Sequence, residues 1–79
     1  MMLYWVSFLV QEKENTKPWC LPITNSCLSL DEAMKVIETG RRYYRVLSAW
    51  IDIFDNNKNK TTVFHECYVD FVGNVERLN

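Results

Sequence analysis

The sequence predicts an α+β fold: a small ββαββ domain whose four-stranded, mostly antiparallel sheet has the order 2-1-3-4, with one helix on one face. Three observations predict this fold. Residues 29–40 have helix-type spacing of apolar residues, the segments on both sides have strand-type patterns, and two prolines mark one strand as an edge strand. The chain has 79 residues, so residues 1–79 are expected to form one domain that buries roughly 60–65% of its unfolded surface.

Composition and charge exclude several classes of protein. Apolar residues make up 48% and charged residues 24% of the chain, which is typical of a globular protein and excludes disorder. The net charge is -1, so no whole-molecule field favours nucleic acid or an anionic membrane. The apolar run LYWVSFLV is far shorter than the ~20 residues of a membrane helix, and it lacks the flanks of a secretory signal. An odd number of cysteines, 3 in all, favours reduced thiols and a cytoplasmic location.

The first two strands are predicted at residues 2–12 and in the segment KPWCLPIT, residues 17–24. The first strand is apolar on both sides, with Tyr4, Val6, Phe8 and Val10 on one side and Leu3, Trp5 and Leu9 on the other. In the second, Pro18 and Pro22 remove amide donors from the same lateral border. That border should face solvent, which makes this segment an edge strand.

The helix is predicted in SLDEAMKVIETG, residues 29–40. Ser29 can cap its first turn while Glu32 reaches back, and Asp31 adds negative charge at the positive end of the helix dipole. The buried stripe is expected at positions i, i+3, i+4 and i+7, which are Leu30, Ala33, Met34 and Ile37. Gly40 is predicted to supply a left-handed residue just after the end of an eleven-residue helix.

The last two strands are predicted at residues 42–54 and 61–72, joined by DNNKNK as a hairpin loop of odd length. An odd loop gathers aliphatic and small residues on one face: Leu47, Ala49, Ile51 and Ile53 beside Val63, Cys67, Val69 and Phe71. The opposite face then carries Tyr44, Val46, Trp50, Phe54, Phe64 and Tyr68, together with Ser48, Asp52, Glu66 and Asp70.

This opposite face has no predicted cover. An eleven-residue helix rises only ~16 Å, whereas four strands make a sheet ~19 Å wide, so one helix shields well under half of one face. We therefore expect a partner on the aromatic face, most simply a second copy of the chain, in a non-enzymatic protein-interaction module. The predicted interface residues are Tyr44, Trp50, Phe54, Phe64 and Tyr68. In the alternative, the tail GNVERLN covers the face and the protein is a monomer.

A second hypothesis is a binder of single-stranded nucleic acid, in which bases stack on the sheet aromatics and Arg41, Arg42 and Arg45 bind phosphates. The acidic residues on the aromatic face weigh against it, because they repel phosphates.

Catalytic and metal signatures are weak. Cys20, Cys27, His65 and Cys67 are four potential zinc ligands, but they lack the tight spacing of a zinc knuckle, so we assign no metal. His65 and Cys67 stand ~6.5 Å apart at the backbone of one strand, which is long for activation of a thiolate. The sequence predicts neither an enzyme nor a cofactor.

Overall fold

A computed structural model describes residues 2–68 and shows four strands and one helix. The strands are β1 (Tyr4–Val10), β2 (Trp19–Pro22), β3 (Val46–Phe54) and β4 (Lys60–Cys67), and the helix is α1 (Leu30–Tyr43). All neighbouring strands are antiparallel and the sheet order is β2-β1-β3-β4, which confirms the predicted α+β fold. The predicted strand positions 69–72 lie outside the described residues. Within residues 2–68, no helix is long and apolar enough to cross a membrane.

The core lies between α1 and the two central strands. Val6 pairs with Ile51 and Phe8 with Ala49 across the β1–β3 ladder, so these side chains share one face of the sheet. All four are buried, as are Val10, Ala33 and Ile37, which add to the same cluster from β1 and the helix. We call this side of the sheet the helix face.

β2 is an edge strand within the described part of the chain, as the prolines predict. The Ile23 amide donates to the Val6 carbonyl at 2.9 Å, so the neighbouring Pro22 position is the one that turns away from β1. A further bridge follows, because Tyr4 and Cys27 exchange backbone hydrogen bonds of 2.9 and 2.8 Å. This bridge ties the loop before the helix to the start of β1.

The helix begins as predicted but ends later. The Glu32 amide donates to Ser29 Oγ at 3.1 Å, and Glu32 Oε1 accepts from the Leu28 amide at 2.7 Å, which satisfies two donors at the start. The prediction that Gly40 follows the last turn is wrong. Gly40 is buried inside the helix, and the Tyr44 amide donates to its carbonyl at 2.9 Å. Leu30, predicted in the buried stripe, is exposed.

Close packing against the sheet explains why residue 40 is a glycine inside the helix. A Cβ added at Gly40 would stand 2.5 Å from Cζ of Phe8, so the ring of Phe8 occupies the space that any side chain would need. Because the helix runs on to Tyr43, β3 starts at Val46 and not at residue 42.

The hairpin loop between β3 and β4 covers residues 55–59, since Phe54 pairs with Lys60, and its odd length is confirmed. Asp55 Oδ1 accepts from the amides of Asn57 and Asn59, both at 2.8 Å. These backbone hydrogen bonds hold the pKa of Asp55 below its ordinary value, and the bond from Asn59 has the larger effect on it. Lys58 takes the left-handed conformation that closes the loop, with φ of 67°.

A register shift in β4 overturns part of the predicted face assignment. Asp52 pairs with Thr62, but Ile51 pairs with Phe64, so Val63 is an additional residue and forms a β-bulge. Beyond this bulge the two sides of β4 exchange. The predictions that Phe64 and Tyr68 lie on the uncovered face, and that Cys67 lies in the core, are therefore wrong: Phe64 and Tyr68 pack against the core, and Cys67 is exposed opposite Ser48.

A second register shift occurs between β1 and β3. Leu9 pairs with Ser48 and Val10 with Val46, which leaves Leu47 as the additional residue. Val46, predicted on the uncovered face, joins the core cluster through its pairing with Val10.

Candidate functional site

The side of the sheet opposite the helix is the candidate site, and we call it the open face. Strand pairing assigns its residues: Trp5, Ser7 and Leu9 of β1, Cys20 and Pro22 of β2, Ser48, Trp50, Asp52 and Phe54 of β3, and Lys60, Thr62, His65 and Cys67 of β4. The helix of the described residues packs entirely on the other face, against β1 and β3. Residues 2–68 therefore leave these side chains without a covering layer.

Aromatic side chains form the raised part of the open face. The rings of Trp5 and Phe54 meet edge to face with centroids 6.3 Å apart, and Trp50 and His65 meet in the same way at 6.1 Å. Phe54 is 44% exposed, and both tryptophans are partly exposed. Two shallow clefts lie between the rings: about 280 Å³ beside Trp5, Phe54 and Lys58, and about 320 Å³ beside Trp5, Trp50 and Lys60.

Two polar side chains are buried between these rings. Asp52 is only 5% exposed and Ser48 only 6%, although both are on the open face. Thr62 Oγ1 donates to Asp52 Oδ1 at 2.6 Å, which supplies the buried carboxylate with a strong hydrogen bond. The centre of the open face is thus polar at its floor and aromatic at its surface.

The structure divides the five predicted interface residues. Trp50 and Phe54 lie on the open face, whereas Phe64 lies on the helix face because of the bulge at Val63. Tyr44 is the C-terminal cap of the helix and not a strand residue.

Tyr68 also lies on the helix side, where the Arg41 guanidinium carbon stands 3.6 Å from the centre of its ring. Burial raises the pKa of Tyr68, and the nearby Glu66 adds to this effect.

Trp5 and Leu9 belong to the open face but are absent from the predicted interface. The signal was present in the sequence, because both follow the alternation of β1 on its second apolar side. All five predicted interface residues lie in the last two predicted strands, so the predicted interface contains no residue of β1, which pairs with β3.

The three arginines of the nucleic-acid hypothesis lie away from the open-face rings. Arg41 and Arg42 are in the last turn of the helix, which packs on the opposite side of the sheet. Arg45 donates through Nε to Gln11 Oε1 at 3.2 Å, and its Nη2 lies 3.6 Å from Glu14 Oε2. The described residues therefore do not combine these cations and Trp50 into one surface.

The four potential metal ligands are also not brought together in one chain. Cys27 is buried beside β1, and burial, together with the charge of Glu32, raises the pKa of its thiol. Cys20 and Cys67 are exposed on the two outer strands of the described sheet. His65 Nε2 stands 4.0 Å from Cys67 Sγ. In the described part of the chain, no group of three or more His, Cys, Asp or Glu side chains could hold a metal ion.

Comparisons with protein-family models, with curated proteins and with solved structures find no match for this chain.

Proposed function

We propose that this protein is a non-enzymatic interaction module of the cytoplasm that forms a homodimer through its open face. The observation that carries the proposal is the group of Trp5, Trp50 and Phe54 on the side of the sheet that residues 2–68 leave uncovered. Large aromatic side chains in the middle of a patch usually supply most of the binding energy of an interface. The three free thiols agree with a reducing compartment.

The size of the open face suits such an interface. The four strands have 7, 4, 9 and 8 residues, and at about 3.3 Å along and about 4.8 Å across each strand they give a flat area of roughly 440 Å². The pleat and the raised rings increase the accessible area further. A standard interface takes about 800 Å² from each partner, so two open faces together approach the area that a stable dimer needs.

The charges of the open face favour a second copy as the partner. Among the described strand residues of this face, Asp52 is the one carboxylate. It is buried, and it accepts a hydrogen bond from Thr62. Lys60, at the border, is the one lysine among the strand residues described on this face, and the opposite charges Asp55 and Lys58 line the cleft beside Phe54. Two such faces bring together no clusters of like charge, so stacking them costs little electrostatic energy.

Sedimentation velocity at micromolar to high-micromolar concentration tests the proposal. Trp50→Ala is compared with Tyr43→Ala, which removes a 77% exposed aromatic ring from the helix. We expect Trp50→Ala to weaken the dimer by about 30-fold or more, as for an interface anchor worth about 2 kcal/mol. Tyr43→Ala should dimerise like the wild type. Circular dichroism confirms that both variants are folded.

A wild-type monomer at high-micromolar concentration, or equal dimerisation of the two variants, would overturn the proposal. The first result would favour the alternative in which the tail GNVERLN covers the face, a segment that lies outside the described residues. Retardation of single-stranded oligonucleotides at low salt, lost when Arg41 and Arg42 are replaced, would favour the nucleic-acid hypothesis in its place.

A further inference from the structure

His65 and Cys67 form a pair of metal-binding side chains on β4. They are two residues apart on one strand, so both project onto the open face, and both are exposed. The rings of His65 and Trp50 meet edge to face with centroids 6.1 Å apart, which limits the orientations of the imidazole. His65 Nε2 and Cys67 Sγ stand 4.0 Å apart.

This separation is close to that of two ligands on one zinc ion. Zinc binds sulfur at about 2.3 Å and imidazole nitrogen at about 2.0–2.1 Å, so a tetrahedral angle places the two donor atoms about 3.6 Å apart. A change of a few tenths of an ångström, within reach of side-chain rotation, would let His65 and Cys67 bind one ion together. Binding of one metal ion therefore requires little movement of these two side chains.

Two ligands fill only half of a structural zinc site, which takes four. Residues 2–68 of one chain supply no third or fourth ligand nearby, because they hold no group of three potential ligands. A second copy supplies the missing two if its own His65 and Cys67 reach the same ion, which gives the two-cysteine, two-histidine set that zinc commonly uses.

The open face allows this arrangement. Trp50 lies opposite His65 and Ser48 lies opposite Cys67, so the pair shares its two rows with the middle of β3. The two copies can be related by a twofold axis that lies between the two sheets, perpendicular to the strands, and passes between the row of His65 and the row of Cys67. This rotation stacks the two open faces and brings each His65 above the Cys67 of the other copy. Stacked sheets are about 10 Å apart, so an ion midway is about 5 Å from each sheet, within reach of a thiolate with its zinc–sulfur bond of about 2.3 Å.

We propose that His65 and Cys67 are half of a zinc site that is completed by the same pair of a second copy across the open face. This inference rests on the proposed function, since the second copy must come to that face. On binding, each Cys67 thiol releases its proton to solvent and binds as thiolate, and each His65 binds as neutral imidazole through Nε2.

Titration of the metal-free, reduced full-length protein with Co²⁺ and then Zn²⁺ tests the inference. Four-coordinate Co²⁺ bound to thiolate has a charge-transfer band and strong visible d–d bands, which zinc displaces. We expect one metal per two chains and, in sedimentation velocity, a dimer that forms at a lower protein concentration than without metal. Cys67→Ser and His65→Gln should each weaken binding by about 100-fold or more, beyond the loss usual for an outer-shell change. Cys27→Ala removes a thiol that lies in the core and not on the open face, and it should bind Co²⁺ like the wild type.

Three results would overturn the inference: no thiolate–cobalt absorption, absorption that persists in Cys67→Ser, or a complex of one metal per monomer. Sedimentation velocity of the protein in EDTA separates this inference from the proposed function. A Trp50-dependent dimer that persists without metal keeps the proposed function even if no metal binds. A protein that neither binds metal nor dimerises overturns both.

Discussion

Replacing Gly40 with alanine tests how closely the helix packs on the sheet. The new Cβ would stand 2.5 Å from Cζ and 2.8 Å from Cε2 of Phe8, distances that real side chains do not tolerate. Phe8 is almost fully buried in the core and pairs with Ala49 on β3. Its ring therefore has little room to move, and the helix must shift away from the sheet or the ring must leave its preferred rotamer.

Two effects of opposite sign decide the magnitude. Glycine to alanine in a helix interior stabilises by about 0.8–1.0 kcal/mol, because glycine loses more backbone entropy on folding. Inserting a methyl group into a filled core costs about 1–3 kcal/mol. Since two ring atoms lie within 3 Å of the new carbon, we expect the upper part of that range and a net loss of about 1–2 kcal/mol. In a domain of this size the Tm should fall by roughly 5–15 °C.

Thermal unfolding followed by circular dichroism measures this change, with two controls. At the exposed helix position Glu38, Glu38→Ala should be more stable than Glu38→Gly by about 1 kcal/mol, the order opposite to that at position 40. In a Phe8→Leu background, Gly40→Ala should no longer destabilise, because the ring atoms are gone. A Tm that rises on Gly40→Ala in the wild-type background would refute the close packing of Phe8 on the helix.

Three further predictions concern single side chains. Thr62→Val should lower the free energy of unfolding in urea by about 1–3 kcal/mol, because the buried Asp52 carboxylate loses its donor; Thr62→Ser should restore most of it, and equal stability of Val and Thr would contradict the hydrogen bond. The folded-state pKa of Asp55 lies below its unfolded value, so the loop's stabilisation is complete above the ordinary aspartate pKa of about 3.9 and is lost as pH falls through the lower folded value. NMR titration of the Asp55 carboxyl carbon checks this, and a midpoint at or above the ordinary value would contradict it. Maleimide should label Cys20 rapidly and Cys27 only on unfolding, because burial protects that thiol and raises its pKa; equal rates in peptide mass mapping would disagree.

Local patterns in the sequence were enough to predict the elements and their order. The cap at Ser29, the alternation of β1 and the prolines beside β2 each act over a few residues, so each could be identified without the rest of the chain. Gly40 was misassigned because its role depends on Phe8, more than thirty residues earlier in the chain. No pattern around Gly40 itself shows which ring lies above it.

The candidate site was predicted less well, because the sequence does not show which face of β4 each residue occupies. In KTTVFHEC, residues 60–67, the neighbouring apolar residues Val63 and Phe64 fit either face, and only the pairing with β3 shows that Val63 is additional and reverses the sides of the residues after it. Trp50 and Phe54 precede this point on β3 and kept their predicted face. Phe64 follows it and did not, and His65 and Cys67 reached the open face for the same reason.

The additional residue at Val63 makes the chemistry of β4 sensitive to chain length. Loss of this one amino acid, by deletion of a single codon, would leave the hairpin loop intact and rotate the rest of the strand by half a turn about its axis. The imidazole of His65 and the thiol of Cys67 would then point towards the helix, and the ring of Phe64 would enter solvent. An insertion or deletion at this position therefore changes the side of several residues at once, whereas a point substitution in the same strand changes one side chain.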